Sequence, residues 1–194
     1  MNIISNNCCG GYFYNFINEK QKNPFRFTYI FPEKLYNLIQ NYDKINFSNY
    51  ELYKELYKDS VTWFFYLNID DKLIIRFSHY KYDKNYAEPT KVGENILYCK
   101  IWEFIIEQYE RRLKLMTEEP YFIIDFGAFD DNEECMNDFL KLDFKRPTVL
   151  IVYNEKYLNY NKENLKIIYS TKKMVPVEVI NKFGNEIKDF FDIQ

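Results

Sequence analysis

Residues 121–153 constrain the fold more than any other part of this chain. An apolar run at 121–126 is followed by an amphipathic stretch at 132–142 and a second apolar run at 148–153. Strand, helix and strand in that order normally form a right-handed crossover between two parallel strands. A chain with such a unit needs a layered α/β architecture in which helices cover the sheet.

The remainder alternates in a similar way. Residues 1–5 read as a short strand, 11–18 as a helix and 25–31 as an extended segment bounded by Pro24 and Pro32. Pro32 suits the first position of a helix running to about residue 42. Ser48-Asn49-Tyr50-Glu51 has capping-box spacing and predicts a further helix to about residue 58. Runs at 61–68 and 73–78, separated by Ile69-Asp70-Asp71-Lys72, predict a β-hairpin ending at His79. Residues 80–94 are polar and read as a loop. Residues 95–116 form the longest predicted helix, with Leu97, Ile101, Phe104, Ile105 and Tyr109 recurring at helical spacing. A strand at 165–170 and a terminal helix near 185–191 complete the pattern. The expected fold is a layered α/β/α sandwich with a mostly parallel or mixed sheet and a hairpin near 61–78. It spans 1–194 as one α/β domain, with a helical insertion around 32–58.

Composition narrows the function classes. The 194 residues are enough to bury a core without disulfides or metal. A net charge of −3, from 26 basic and 29 acidic side chains spread along the chain, offers no electrostatic footprint for nucleic acid. Cys8, Cys9, Cys99 and Cys135 lack zinc-site spacing, because adjacent Cys8 and Cys9 cannot easily present both sulfurs tetrahedrally. No His/carboxylate cluster calls for a metal, and no G-x-G-x-x-G follows the first strand, so neither metal nor cofactor is expected. No apolar run approaches the roughly 18 residues that span a bilayer, and a reduced cytoplasm is the expected setting. The 19 Tyr and 18 Phe arrive with many Asn, Ile and Lys and read first as core filling.

The chemistry-bearing segment is Ile3-Ile4-Ser5-Asn6-Asn7-Cys8-Cys9-Gly10-Gly11, an apolar strand that breaks into a polar, thiol-bearing turn before a helix. Free N–H groups and the dipole at a helix start favour negative charge, so Cys8 is expected to tend towards the thiolate. The N–H groups of Cys9 and Gly10 would then face an oxyanion, and Asn6, Asn7, Gly10 and Gly11 would line the substrate. The alternative is that Cys8 is a small buried hydrophobe and that Cys9 packs against the sheet. His79, the sole histidine, is the candidate general base or a structural histidine. Asp125 either orients that imidazole or caps the turn after its strand. In open α/β sheets ligands sit outside the carboxyl ends of the strands, where Asn6, Cys8 and Asp125 would fall. Arg112 shares a helical stripe with Ile105 and Tyr109, and an inward guanidinium requires an anionic partner. That partner is a substrate phosphate or carboxylate, or an Asp or Glu of the protein; snorkelling at the helix end is the third option.

The opening I-I-S-N-N-C-x-G-G, Asn23-Pro24-Phe25, His79-Tyr80 after a strand, and Tyr109-Glu110-Arg111-Arg112 together resemble an uncharacterised bacterial family. It is labelled exopolysaccharide biosynthesis protein, domain of unknown function nineteen-nineteen. The resemblance runs from Ile3 to about Tyr153. Here Cys9 stands where that family usually has a tryptophan, Tyr109 replaces a second tryptophan, and Leu115 replaces a late arginine. The order cysteine, Pro-Phe, histidine, arginine is also distantly similar to papain-like cysteine peptidases. The first resemblance implies a place in surface-polysaccharide biosynthesis, as a transferase or related enzyme with a small-molecule or glycan substrate that is anionic. The second implies a thiol hydrolase. A non-catalytic glycan- or nucleotide-binding module, in which the turn only cradles an anion, is the third class.

Overall fold

Two sets of alternating apolar positions on the same strands organise this protein into layers. The computed structural model describes residues 1–20, 23–25, 28–56, 62–83, 91–116, 119–129, 133–160 and 162–193, and gives the backbone alone at 32–33, 56, 62–63, 78–83, 91–101 and 128–129. Strands β1 (Asn2–Ser5), β6 (Pro120–Asp125), β7 (Thr148–Val152) and β8 (Leu165–Tyr169) form a parallel sheet in the order β1-β6-β7-β8. Ile3, Ile123, Val149, Ile151 and Ile168 point to one face, where they meet Phe13 and Tyr14 of α1 (Cys9–Phe16) and Val179, Ile180, Phe183 and Ile187 of α5 (Pro176–Phe190). Ile4, Phe122, Ile124, Leu150 and Val152 point to the other. This period of two is what a strand buried on both sides requires.

The second face is covered by α2 (Pro32–Asn41), α4 (Glu133–Lys141) and a second sheet. That sheet is antiparallel, in the order β2-β5-β4-β3, from β2 (Thr28–Ile30), β3 (Tyr50–Leu56), β4 (Thr62–Ile69) and β5 (Leu73–Asp83). Its inward residues Ile30, Leu52, Phe65, Leu67, Ile69, Leu73 and Ile75 join the same core. The predicted hairpin is β4–β5, and Asp70 and Asp71 take the positive φ its tight turn requires, 53° and 54°. The fold is α/β with a parallel sheet, as expected, and the antiparallel sheet is an additional layer.

The helix predicted over 48–58 is instead strand β3, paired with β4 from Tyr50–Ile69 to Leu56–Trp63. The capping-box residues serve a turn: the Ser48 N–H donates to Asn46 Oδ1 at 3.1 Å, and Asn49 Nδ2 donates to Asp70 Oδ1 at 3.1 Å. The terminal helix begins at Pro176, earlier than its apolar spacing suggested, because Pro occupies its first turn and Glu178 Oε2 accepts from the Val175 N–H at 3.3 Å. The long helix, α3 (Lys91–Leu113), buries Ile105 and Tyr109.

Edge strand β1 is protected by side chains. The Ile3 N–H donates to Tyr14 Oη at 2.8 Å, and the Ile3 carbonyl accepts from Asn23 Nδ2 at 2.7 Å. Asn23-Pro24-Phe25 therefore closes the sheet edge.

Candidate functional site

β1 and β6 are neighbours in the parallel sheet, yet the helices that follow them leave to opposite faces: α1 packs with α5, and α4 packs towards the antiparallel sheet. Such a divergence opens a crevice at the carboxyl ends of the two strands. Asn6, Asn7 and Asp125 meet there.

The Asn6 side chain, 0% exposed, behaves as an extra peptide group. Its Nδ2 donates to the Asp125 carbonyl at 2.9 Å, and its Oδ1 accepts from the Asp125 N–H at 2.9 Å. Its own carbonyl accepts from the Ile30 N–H at 3.0 Å, which joins the two sheets. Asn7 Nδ2 donates to Asp125 Oδ2 at 2.9 Å. Asp125 Oδ1 accepts from the Gly127 N–H and from the Tyr153 hydroxyl, both at 3.0 Å. Burial pushes the Asp125 carboxyl above its ordinary range against the opposing effect of these donors, and burial with the nearby Asp125 charge pushes the Tyr153 phenol up. Asp125 is thus held by Asn7, Gly127 and Tyr153.

The turn differs from its sequence-based reading in two respects. The Cys9 N–H donates to Asn7 Oδ1 at 2.9 Å, and the Gly10 N–H donates to Ser5 Oγ at 2.8 Å. The two donors expected to face an oxyanion are therefore satisfied by side chains, and any anion must be met by other groups. Second, burial pushes the half-buried Cys8 thiol above its ordinary range. A helix start lowers a nearby anion by about 0.3–1 kcal/mol when exposed, less than the desolvation of a half-buried thiolate costs. Cys9 is 0% exposed beneath α5, its Sγ 4.0 Å from the Pro176 carbonyl, and its thiol is pushed well up by burial.

Alkylation at graded pH, read by peptide mass spectrometry, should give Cys8 a midpoint above the ordinary thiol value of about 8.5. Cys9 should label more slowly. A Cys8 midpoint below that value would restore the preformed thiolate.

Gly10 has a steric reason. A Cβ there would lie 2.9 Å from Ser5 Oγ and 3.6 Å from the Ile3 carbonyl oxygen. Gly10→Ala should cost about 1–3 kcal/mol in urea unfolding, because the hydroxyl that accepts from Gly10 and donates to the Asn7 carbonyl must move. A loss near zero would show that Ser5 can yield. Gly11, on the next position of α1, is buried.

His79 lies in the β5 backbone, within the irregular stretch between the pairs Tyr66–Arg76 and Phe64–Lys81. It is four residues past Ile75, the partner of Ile30, on a strand that advances about 3.3 Å per residue. Its side chain lies outside the described residues, as does that of Cys99.

Arg112 is half-buried at the opposite edge of the sheet from Cys8. It lines a cavity with Tyr14 and Asn15 of α1, whose eight residues advance about 12 Å away from the Asn6–Cys8 turn. The structure brings Asn6, Asn7, Cys8, Gly10 and Asp125 to one edge and Arg112 to the other. The signal was in the chain order: Arg112 precedes the first residue of β6, Pro120, by a short connection, which fixes it near the amino end of the sheet. Ser5, Gly127 and Tyr153 were not singled out from sequence. Tyr153 had a legible signal, since it follows the strand next to the one ending in Asp125.

No protein-family model matches this chain, and no curated protein matches it. Among the described residues no helix is long and apolar enough to cross a membrane, and no group of three His, Cys, Asp or Glu side chains is placed to hold a metal ion.

Proposed function

We propose that this protein is an enzyme of surface-polysaccharide biosynthesis, a transferase acting on a glycan or its activated precursor, with its reacting centre at the carboxyl edge of the parallel sheet. The observation that carries this reading is the hydrogen-bonded Asn6–Asn7–Asp125–Tyr153 network at the carboxyl ends of β1 and β6, which the half-buried Cys8 directly follows in the chain. A thiol on an over-determined scaffold is held in place for reaction with little reorganisation. The resemblance of the opening I-I-S-N-N-C-x-G-G supports the pathway.

In this reading Cys8 rests as the thiol. Its proton passes to His79, Sγ bonds to the transferred group as the donor's leaving group departs with that proton from His79, and an acceptor hydroxyl then displaces sulfur and takes the group, its own proton returning to sulfur through His79. A thiol hydrolase would follow the same first step, with water as acceptor. A second reading, a non-catalytic glycan-binding module, is favoured by the raised Cys8 thiol and the occupied N–H groups.

Turnover of surface-glycan precursors by the wild type, Cys8→Ser and His79→Ala separates the readings. The transferase reading expects both variants to fold normally and to lose activity by about a hundredfold or more. Full activity in Cys8→Ser would remove the nucleophile. Undiminished ligand affinity in both variants without turnover by the wild type would favour the binding module.

A further inference from the structure

The outer face of the antiparallel sheet holds an arginine without a counter-charge. On β5, Ile75 and Phe77 point into the core, and Arg76 between them points out. Its cross-strand neighbours are Tyr29 of β2 and Tyr66 of β4. The guanidinium carbon lies 4.7 Å from the centre of the Tyr29 ring and 4.8 Å from that of Phe64, so rings from the strands on either side of β5 flank it.

These rings attract the cation and shield it from water, but they supply no acceptor for its N–H groups. Among the described residues no hydrogen bond or ion pair engages Arg76. Its Nε is buried, whereas the two Nη groups are not among the buried atoms, and the side chain as a whole is half-buried. A guanidinium desolvated on its stem side normally has an anion on its open side, because a partly buried charge left unpaired is costly. Here the chain provides none.

The surrounding charge decides which anion fits. On the same face Glu51 and Glu55 flank Tyr53 on β3, two strands from Arg76, or about 10 Å at the spacing of a sheet. Asp71 lies at the hairpin turn, where it accepts from Asn68 Nδ2 at 2.7 Å. These carboxylates do not pair with Arg76, yet they stand near enough to disfavour a dianion. One charge and one fork of Nη donors match a carboxylate, which takes both in a bidentate contact.

We propose that Arg76 anchors a small carboxylate ligand on the outer face of the antiparallel sheet. The two Nη groups donate to the two carboxylate oxygens, and the Tyr29 and Phe64 rings wall the contact. The site does not depend on the reaction proposed for Cys8.

Ligand-observed proton NMR with benzoate and glucuronate tests it, with glucose as the uncharged control and inorganic phosphate, followed by phosphorus NMR, as the more highly charged one. The two carboxylates carry a flat apolar body and a hydroxyl-bearing one, and the tighter of them shows which body the face accepts. At least one is expected to bind saturably, more tightly than phosphate, with no binding of glucose. The guanidinium nitrogen resonances of Arg76 in the wild type should shift with the same midpoint. Arg76→Gln should weaken binding about tenfold or more, and so should Arg76→Lys, which keeps the charge but not the fork. Arg111→Gln, at an exposed cation on α3, should leave it unchanged. Where Arg76→Gln fails to fold, Arg76→Lys and the wild-type resonances carry the test. No saturable binding of either carboxylate, tighter binding of phosphate, unmoved Arg76 resonances, or full affinity in Arg76→Gln or Arg76→Lys would overturn the proposal, as would a loss in Arg111→Gln.

Discussion

Asn6→Ala is expected to lower the free energy of unfolding by about 2–6 kcal/mol, from two buried main-chain groups left without partners at about 1–3 kcal/mol each. The ladder between β1 and β6 ends at the pair Ser5–Ile123, and the chain then turns away from the sheet. The Asn6 amide continues the ladder by side chain, giving Asp125 both a donor and an acceptor. Alanine supplies neither, and the 0% exposed position admits no water without further rearrangement. Asn6→Asp is the sharper test. Its carboxylate accepts from the Asp125 N–H but offers nothing to the Asp125 carbonyl, and it buries a charge beside the Asp125 carboxylate. The new group's folded pKa would be raised, so its variant should be least stable at neutral pH and recover as pH falls towards the unfolded carboxylate value of about 3.9. Urea unfolding at several pH values reads both effects. A loss below about 1 kcal/mol in Asn6→Ala would show that the bridge is dispensable.

The parallel layer was legible because its strands are short apolar runs separated by one amphipathic helix, a pattern with one common solution. The antiparallel layer was half legible. Its hairpin declared itself through Asp70-Asp71, but among the described side chains of β3 Leu52 is the one buried, and the strand shows no strong alternation, so the local Ser-x-x-Glu spacing pointed to a helix. Pairing with β4 outweighs that local preference, as β propensity depends on cross-strand neighbours. Many of the aromatic side chains pack in the core, whereas Phe16, Tyr36, Phe104 and Tyr160 are exposed. Tyr53 stacks on Tyr66 at 5.3 Å, Tyr42 meets Phe47 at 5.2 Å, and Phe126 meets Phe139 at 5.3 Å.

The site was legible as a location and not as an electrostatic state. A strand–turn–helix at the start of the chain and an aspartate ending a later strand placed Asn6, Asn7 and Asp125 at one sheet edge. Which N–H groups stay free depends on Ser5 Oγ and Asn7 Oδ1 turning back onto Gly10 and Cys9, contacts within five residues that residue types alone do not fix. The phase of Arg112 on its helix was legible too, but phase says nothing about which end of the sheet the helix reaches.

Asp125 carries the largest electrostatic test. Asp125→Ala should cost about 2–5 kcal/mol, because Asn7 Nδ2, the Gly127 N–H and the Tyr153 hydroxyl all lose their acceptor at a position 3% exposed. Asp125→Asn keeps the size and one acceptor oxygen for Gly127 and Tyr153, but sets an amide donor against Asn7 Nδ2. Flipping Asn7 to answer it would turn a donor on the Cys9 N–H, so the cost should remain about 1–3 kcal/mol. The pH dependence follows from the direction of the shift. Burial raises the folded pKa of Asp125 above its unfolded value, so the stability this group contributes is full below about 3.9 and declines as pH rises through the folded value. Asparagine has no such titration. The wild type's advantage over Asp125→Asn should therefore be greatest near pH 4 and narrow towards neutrality in matched urea unfolding series. An advantage that widens with pH would mean that Asn7, Gly127 and Tyr153 stabilise the carboxylate more than burial penalises it, and would make Asp125 a buried anion ready to orient a cation at the crevice.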